Sequence, residues 1–432
     1  MSRIVVVGAG LSGLAAGWRL RQAGHEVVVA EQSEDVGGSA RSVRHGEYLI
    51  DTGPDLINTA YARFLALARE VGLGDDIVHS SSRVDVIRDG RPIGFDSARP
   101  LSLMRNSLLS RRGKARLALG HLRTRRQVNR IDPFALTRYT DENAQAAQPF
   151  SHAAFGPEVS DHLIDPIVRA FAGTGLQHTS ALAVLGALAV GREDMLSIKG
   201  GMGAVPAAIA ERLDIRCGTR VTAIDEGAQG VCVTADGGDI DADACLLAVM
   251  YDDARLMWPD VAAVMPGFGE SLRPVPLISI SLGFDAEAET EAYSVLIPTV
   301  EEPDALLAFM QPHKAPDRAP DGTTLVTLFT EATSARRLAR QSDEEIVTWA
   351  DELVTRWYPE LAGRRDLELV TRWPCTGYLP TPGFWERSAQ LRKALPQARV
   401  QVTSTLFGSG SIERAVLGGE RAAARLLESL PR

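Results

Sequence analysis

The chain has 432 residues, of which 45% are hydrophobic and 23% are charged, and its net charge is −9. This length and apolar content allow two or three domains with a large core, which excludes disordered, collagen-like and small disulfide-stabilised proteins. The acidic balance argues against a nucleic-acid partner, because proteins that bind nucleic acids hold phosphates on basic surfaces.

Outside the glycine-rich N-terminus, no uncharged apolar run approaches the roughly 20 residues that span a bilayer. The best candidate, residues 181–190, is too short. The four cysteines lack metal-ligand spacing, which is typical of buried thiols in a reducing compartment. We therefore expect a cytoplasmic protein that is at most peripheral to a membrane.

The N-terminus has the pattern of a strand, a helix and a second strand. A β-branched run at 4–7 precedes a glycine-rich turn and a helical pattern, and a second β run at 27–30 ends at Glu31. The turn consists of Gly8, Ala9, Gly10, Leu11, Ser12 and Gly13. This order, with an acidic residue at the end of the second strand, is typical of a dinucleotide-binding unit.

Each residue type in this unit has a physical role. Gly8 permits the tight turn, Gly10 lets a pyrophosphate approach the backbone, and Gly13 lets the helix pack on the sheet. The phosphates then meet the positive N-terminus of the helix. Glu31 accepts hydrogen bonds from ribose hydroxyls and disfavours a 2′-phosphate. The unit alone does not separate NAD from FAD.

A second glycine-rich segment follows Glu31 closely. Its residues are Gly37, Gly38, Arg41 and Ser42, and a strand-like run then leads into Asp51, Thr52, Gly53 and Pro54. Paired glycines allow close backbone approach, and the arginine supplies a fixed cation for phosphate. These segments resemble the flavoprotein family that contains monoamine oxidases, protoporphyrinogen oxidases and phytoene-type desaturases. The resemblance implies FAD, with Gly38 and Arg41 along its pyrophosphate and Gly53 and Pro54 beneath the flavin.

Two later segments complete such a site in this family. A glycine-rich segment at 197–203 precedes strand-like runs at 220–224, 231–235 and 244–249, the last two separated by a turn at 236–238. The family places the backbone near Val221 beside the adenine.

The C-terminal segment carries the last predicted FAD contacts. A strand at 400–402 leads to a helix whose N-terminus, at Ser411 and Ile412, the family aims at the flavin pyrimidine edge. The family's usual glycine–acid pair after this strand is replaced here by Thr403 and Ser404. Their hydroxyls can still donate to a phosphate, so Ser404 is the expected contact.

We expect an α/β fold, in which a Rossmann-like FAD-binding domain has a parallel sheet and a β-meander, and an α+β substrate domain is interleaved with it. The FAD-binding domain is predicted to contain residues 1–79, 196–255 and 388–432. The substrate-binding domain is predicted to contain 80–195 and 256–387. Within it, Ser342 and Glu345 form a predicted capping box for a helix at 343–357.

Segments such as Phe155-Gly156-Pro157 and Trp373-Pro374 look most like protoporphyrinogen-oxidase-type members. That resemblance implies that Arg83 holds a substrate carboxylate, for which a bidentate guanidinium is well suited. A solvated cation at a strand end is the alternative. The segment at 410–415 instead matches other oxidases and desaturases of the family, so a specialised-metabolite desaturase stays open. An amine oxidase is less favoured, because no lysine lies where those enzymes place their active-site lysine.

The sequence contains no nucleophile–base arrangement and no metal-binding His motif, which suits chemistry centred on a flavin. Tyr378, Phe384 and Trp385 are candidates for the substrate wall, with plain packing as the alternative. We expect hydride transfer from a C–C or C–N bond of a small substrate, hydrophobic or carboxylate-bearing, to flavin N5. O2 is the expected electron acceptor and a quinone the alternative. A non-redox flavin isomerase or binding protein is the competing class.

Residues 105–130 contain nine cations and no acid, with leucines interleaved, and predict a basic amphipathic helix. Three interpretations of this helix stay open. It presents a solvated face, it contacts an anionic lipid surface at the membrane periphery, or it attracts an anionic substrate.

Overall fold

The computed structural model describes residues 1–53, 55–99, 101–139, 141–191, 193–403 and 411–430. Two predicted FAD contacts, Pro54 and Ser404, lie outside these residues. The strands are β1 (Arg3–Val7), β2 (Glu26–Ala30), β3 (Ser42–His45), β4 (Tyr48–Asp51), β5 (Ile57–Asn58), β6 (Ile77–His79), β7 (Arg83–Arg88), β8 (Arg91–Asp96), β9 (Met195–Ile198), β10 (Asp214–Arg216), β11 (Val221–Glu226), β12 (Val231–Ala235), β13 (Gly238–Ala242), β14 (Ala244–Leu247), β15 (Leu277–Phe284), β16 (Ala292–Leu296), β17 (Ala305–Met310), β18 (Thr324–Thr330), β19 (Arg365–Trp373) and β20 (Val400–Val402).

The helices are α1 (Leu11–Gln22), α2 (Ala62–Glu70), α3 (Leu101–Arg105), α4 (Arg111–Arg130), α5 (Asp141–Ala144), α6 (Ala147–Phe155), α7 (Pro157–Val159), α8 (Asp165–Ala172), α9 (Ala181–Val190), α10 (Ala204–Ala210), α11 (Tyr251–Met257), α12 (Asp260–Ala263), α13 (Phe268–Ser271), α14 (Ala332–Leu338), α15 (Asp343–Trp357), α16 (Phe384–Ala394) and α17 (Ile412–Ser429). None of the helices in the described ranges is both long and apolar enough to cross a membrane.

A parallel sheet in the order β10-β2-β1-β14-β20 forms the first layer of the fold. Its central strands are β-branched and buried, as expected for a parallel sheet covered on both faces. Helix α17 packs closely on α1, since a Cβ on Gly419 would lie 2.0 Å from the carbonyl oxygen of Ser12. This arrangement confirms the predicted α/β class and sets the glycine-rich turn at the carboxyl edge of β1.

The predicted β-meander is present as the antiparallel sheet β11-β12-β13. One connection differs from the prediction. The turn at 236–238 leads into β13, whereas the expected third run at 244–249 is β14, which joins the parallel sheet beside β1. Strand β13 was missed because its sequence, Gly-Asp-Ile-Asp-Ala, buries only Ile240 and so has a weak apolar signal.

The second large sheet is mixed and has seven strands in the order β19-β15-β18-β17-β16-β7-β8. Helix α15 begins at the predicted capping box, in which the Ser342 hydroxyl accepts from the Glu345 N–H and Glu345 accepts from the Ser342 N–H. The domain boundaries given above stay a prediction.

The cysteines are free thiols in different environments. Cys245 is buried in β14, whereas Cys217 is exposed in the turn after β10. The expectation of buried thiols is therefore wrong for Cys217.

Candidate active site

The glycine-rich turn between β1 and α1 leaves an open space at the start of the helix. Gly8 has a φ of +99°, and a Cβ on Gly13 would lie 1.9 Å from the Gly8 carbonyl oxygen, so the fold itself requires both glycines. Gly10 has an ordinary φ of −70°, and no atom of the described residues would lie within 4 Å of a Cβ there. Helix α1 has no side-chain cap and no acid in its first turn. Its first N–H groups therefore suit an anion beside Gly10.

Glu31 lies at the end of β2, beside this turn, and is 8% exposed. Its carboxylate accepts hydrogen bonds from the backbone N–H of Ala9 at 2.7 Å and of Ser33 at 2.9 Å. The Thr219 N–H donates to the Glu31 carbonyl at 2.8 Å, which brings the start of β11, at Val221, to the same edge. The structure thus places Glu31, the predicted ribose contact, near Val221, the predicted adenine contact.

The second glycine-rich segment packs on the first. The Gly37 N–H donates to the Ala9 carbonyl at 2.8 Å, and a Cβ on Gly38 would lie 3.2 Å from the Gly10 Cα. The Arg41 guanidinium is 3.6 Å from the Asp35 carboxylate, and its buried Nε has no hydrogen-bond acceptor within the described residues. An arginine with a spare donor in this segment fits a phosphate.

Asp51 joins three of the predicted segments. It accepts from the Ser42 hydroxyl and from the Met202 N–H, and it pairs with Arg318 at 3.0 Å where neither side chain is more than 1% exposed. Gly53 is required by close packing, because its Cβ would lie 2.1 Å from the Ser39 carbonyl oxygen.

Sequence reasoning missed a second buried ion pair next to this segment. The Lys314 ammonium pairs with the Asp55 carboxylate and donates to the Asp55 carbonyl at 3.0 Å, and both side chains are almost fully buried. Burial raises the pKa of Asp55 and lowers that of Lys314, and the charge of each opposes the shift of the other. The available signal was a lysine, one of only four in the chain, in the loop between two buried strands.

An apolar cavity of about 100 Å³ lies among helices α8, α9, α16 and α17. The lining includes Leu56, Tyr61, Phe134, Trp385, Ile412 and Arg414. The Tyr61 and Phe134 rings meet edge to face at 5.5 Å, and the Arg414 guanidinium lies 5.2 Å from the centre of the Trp385 ring. Burial raises the pKa of Tyr61 to about 12 and lowers the pKa of Arg414 to about 10.

The N-terminus of α17 borders this cavity. The Ser411 hydroxyl caps the helix by accepting from the Arg414 N–H at 3.2 Å, and Ser411 and Ile412 both line the cavity. Directly after β20, the Thr403 hydroxyl is 3.0 Å from the Ser12 hydroxyl, at the start of α1. Thr403 thus links β20 to the predicted phosphate site.

The three aromatic candidates occupy different positions. Trp385 lines the cavity, and the buried Phe384 meets its ring edge to face at 4.9 Å. The Tyr378 hydroxyl accepts from the Tyr251 N–H at 3.0 Å within a packed cluster, which favours the packing alternative for Tyr378.

Arg83 does not lie among the cavity-lining residues. It begins β7 at the surface, its side chain is 50% exposed, and its guanidinium is 3.4 Å from the exposed Glu291. This placement favours the alternative of a solvated strand-end cation, because an arginine in water binds a carboxylate weakly.

Residues 11–427 match the family described as flavin-containing amine oxidoreductases. The chain belongs to this family. Coproporphyrinogen III oxidase of Propionibacterium freudenreichii is 24% identical over 92% of this chain and 85% of the relative. Protoporphyrinogen oxidase 2 of Arabidopsis thaliana is 31% identical over 38% of this chain, about a third of the relative's length. Cyclohexylamine oxidase from Brevibacterium oxydans shares the fold, with a TM-score of 0.77 at 18% identity and coverage of 100% of both chains.

As an oxidoreductase of this family, the chain takes FAD as its cofactor. The residues fit that group on their own chemistry. The space beside Gly10, the uncapped N-terminus of α1 and the spare donor of Arg41 suit a pyrophosphate, and the carboxylate of Glu31 suits ribose hydroxyls. The family resemblance expected from the sequence is confirmed.

Proposed function

We propose that the chain is an FAD-dependent oxidase or desaturase that removes hydrogen from a C–C or C–N bond of a small, largely apolar substrate. The observation that carries this proposal is the apolar cavity at the N-terminus of α17, where the family resemblance puts the flavin ring. When bound, FAD would supply the group that accepts the hydride, and we propose O2 as the final electron acceptor.

The chain's own residues bind and orient the cofactor and the substrate, and they exclude water from the cavity. Gly10, Glu31, Gly38 and Arg41 hold the nucleotide at the edge of the parallel sheet. The N-terminus of α17 stabilises negative charge that develops beside it, through its dipole and its first N–H groups. The apolar walls of the cavity exclude water, which strengthens these electrostatic interactions.

The cavity favours a C–H substrate over an amine. Among its described lining residues none is acidic, and Arg414 adds a positive charge. A protonated amine would therefore meet a cation and no carboxylate there. Lys314 is engaged by Asp55, so it is held away from a role as a free amine base. These contacts support an oxidase or desaturase of the porphyrinogen-oxidase type.

The test is a panel of porphyrinogens, polyene precursors and amines, each mixed with the flavin-loaded protein without oxygen. A substrate bleaches the flavin absorbance, and admission of O2 restores it with release of hydrogen peroxide. Bleaching that only a quinone reverses would replace O2 as the acceptor. Turnover of a compound with neither bleaching nor peroxide would establish the non-redox alternative.

We infer, second, that the surface formed by α3 and α4 contacts an anionic lipid membrane. Four large apolar side chains are exposed there, namely Leu101 (73%), Met104 (44%), Leu119 (44%) and Leu122 (65%). The arginines of α4 are also exposed around them. Exposed leucines beside arginines suit a lipid interface, where each cation contributes about 1 kcal/mol. Helix α4 ends at Arg130, and Pro133 and Phe134, three and four residues further along the chain, line the cavity.

A further inference from the structure

A buried cluster of polar side chains surrounds Asp55, the second residue after Gly53 in the segment that the family resemblance puts beneath the flavin. The cluster consists of Asp55, Gln311, Lys314 and Thr327, none of which is more than 2% exposed. Lys314 pairs with Asp55 Oδ2. The Gln311 amide donates to that oxygen at 3.4 Å and to the Thr327 hydroxyl at 3.1 Å. Asp55 Oδ1 and Gln311 Oε1 are also buried, but neither has a hydrogen-bond partner among the described residues.

We propose that Asp55 and Lys314 form a buried proton-binding site, in which the Asp55 carboxylate takes up one proton when bound FAD is reduced. The O–H bond forms at Oδ1, the oxygen without a partner, and Lys314 keeps its own proton. The pair then changes from neutral to positive, which offsets the negative charge of an anionic reduced flavin. This inference rests on the proposed function, because it requires FAD at the edge of the parallel sheet.

The surroundings of Asp55 favour proton uptake when a further negative charge appears. Burial has the largest effect on its carboxyl and raises the pKa. The charge of Lys314 lowers this pKa, and the charge of Asp51 raises it. Arg318, which is paired with Asp51 at 3.0 Å, also lowers it. A nearby negative charge disfavours the ionised carboxylate, so reduction of the flavin raises the pKa of Asp55 further.

The proton also has a source in the proposed reaction. Loss of two hydrogens from a substrate sends a hydride to the flavin and releases a proton, while the remaining electron pair forms the new double bond. The cavity lining contains no acid among its described residues, but Leu56, the residue after Asp55, belongs to it. When O2 takes the two electrons, the proton of the hydride and the proton of Asp55 leave as hydrogen peroxide, and the ion pair forms again.

Glu413 is a second acid that is buried beside a cavity-lining residue, but its contacts differ. One of its oxygens accepts from the Arg63 N–H at 2.9 Å and the other from the Phe64 N–H at 2.8 Å. Burial raises the pKa of Glu413 as well, and both of these hydrogen bonds lower it. Two donors to a carboxylate favour its ionised form, whereas Asp55 keeps one oxygen free for a proton.

The experiment counts the protons that the flavin-loaded protein takes up when dithionite reduces its FAD, from the dependence of the midpoint potential on pH. The double variant Asp55→Asn, Lys314→Met removes both charges of the buried pair, and Glu413→Gln removes the other acid. The matched control is the double variant Asp285→Asn, Arg364→Met, which makes the same exchange in an exposed ion pair. A purely structural role of the buried pair would leave the proton count unchanged.

We expect wild type, Glu413→Gln and the exposed-pair control to take up about two protons per FAD, one on the flavin and one on Asp55. The Asp55→Asn, Lys314→Met variant should take up about one. Equal counts in this variant and wild type, or loss of the second proton in Glu413→Gln, would overturn the inference. Because dithionite supplies the electrons, the count needs no substrate. Failure of the proposed function would instead appear as a flavin that no compound of the panel bleaches.

A second measurement needs no variant, so it decides the question even if the double variant does not fold. Infrared difference spectra of wild type before and after reduction should show the C=O stretch of a newly protonated carboxyl. Labelling with ¹³C-aspartate should shift this band, whereas ¹³C-glutamate should not. Absence of the band, or a shift with labelled glutamate alone, would contradict proton uptake by Asp55.

Discussion

Lys314 and Asp55 form an ion pair inside the protein although 259 residues separate them in the chain. Four residues further along the same loop, Arg318 pairs with Asp51. The loop between β17 and β18 thus reaches from the seven-stranded sheet to the segment that the family resemblance puts beneath the flavin. Two buried ion pairs fix the path of that segment.

The first prediction concerns this ion pair. Lys314→Met leaves the Asp55 carboxylate buried without its cation, and the free energy of unfolding should fall by about 3–5 kcal/mol. The double variant Lys314→Met, Asp55→Asn should recover part of the loss, because no charge is left unpaired. Urea unfolding measures both.

The control is Arg364→Met, which breaks the exposed pair between Arg364 and Asp285 and should cost less than about 1 kcal/mol. If Lys314→Met lowers the free energy of unfolding no more than Arg364→Met does, the buried pair does not stabilise the segment that contains Asp55.

A second prediction separates the glycines of the first turn. Gly10→Val should still fold, since no described residue lies within 4 Å of a Cβ at this position, but it should lose FAD because the side chain fills the path of the pyrophosphate. Gly13→Ala should lose both the folded stability and FAD, because the added Cβ collides with the Gly8 carbonyl. Thermal unfolding and flavin content are measured side by side. Full flavin content in Gly10→Val would remove Gly10 from the phosphate site.

A third prediction tests Glu31. Glu31→Ala removes a carboxylate that orders the turn through Ala9 and Ser33, and it removes the predicted ribose contact. Hydrogen bonds to a charged group contribute about 1.5–3 kcal/mol, so the affinity for FAD should fall by roughly tenfold or more. The neighbouring, exposed Glu34→Ala serves as the control. Equal FAD affinity in the two variants would contradict the assignment.

A fourth prediction follows from the surface position of Arg83. Arg83→Gln should leave KM and kcat within about twofold of wild type for any substrate the panel identifies, because an exposed pair contributes about 0–1 kcal/mol. A large rise in KM at unchanged kcat would return the substrate carboxylate to Arg83.

A fifth prediction tests the lipid surface with vesicles containing phosphatidylserine. Wild type should bind them at low salt and release them at high salt. Changing Arg111, Arg112, Arg125 and Arg126 together to Gln should abolish binding, and Leu119→Ser with Leu122→Ser should weaken it. Absence of vesicle binding, with a raised KM in the arginine variant, would make the surface a guide for an anionic substrate. No change in either measurement would leave a solvated helix face.

Much of the fold could be predicted, because its signals are local. The run at 4–7, the spaced glycines and Glu31 fall within one strand–helix–strand unit, and helix α15 begins at its capping box as expected. Strand β19 gave no such signal. It exposes charged residues along much of its length, so alternation of apolar residues is weak, and its pairing with β15 stabilises it instead.

The site was predicted only where a motif carried it. Gly10, Glu31 and Gly38 belong to short patterns whose spacing predicts a role in binding the nucleotide. In the structure Glu31 accepts from the N–H of Ala9, the residue before Gly10, and Gly38 packs against Gly10, but their role stays a prediction. Lys314 and Arg414 carry no such pattern, because their partners are distant in the chain. Arg83 was chosen by resemblance, and a resemblance at a strand end does not show whether the side chain faces solvent.

The proposed reaction depends on FAD binding at the edge of the parallel sheet. The most direct measurement is a titration of the flavin-free protein with FAD, followed by flavin fluorescence and visible absorbance, with Gly10→Val as the matched control. We expect saturable binding at equal molar amounts by wild type and none by the folded Gly10→Val variant. Folded wild-type protein that leaves FAD free, or a Gly10→Val variant that binds FAD equally well, would contradict FAD binding beside Gly10.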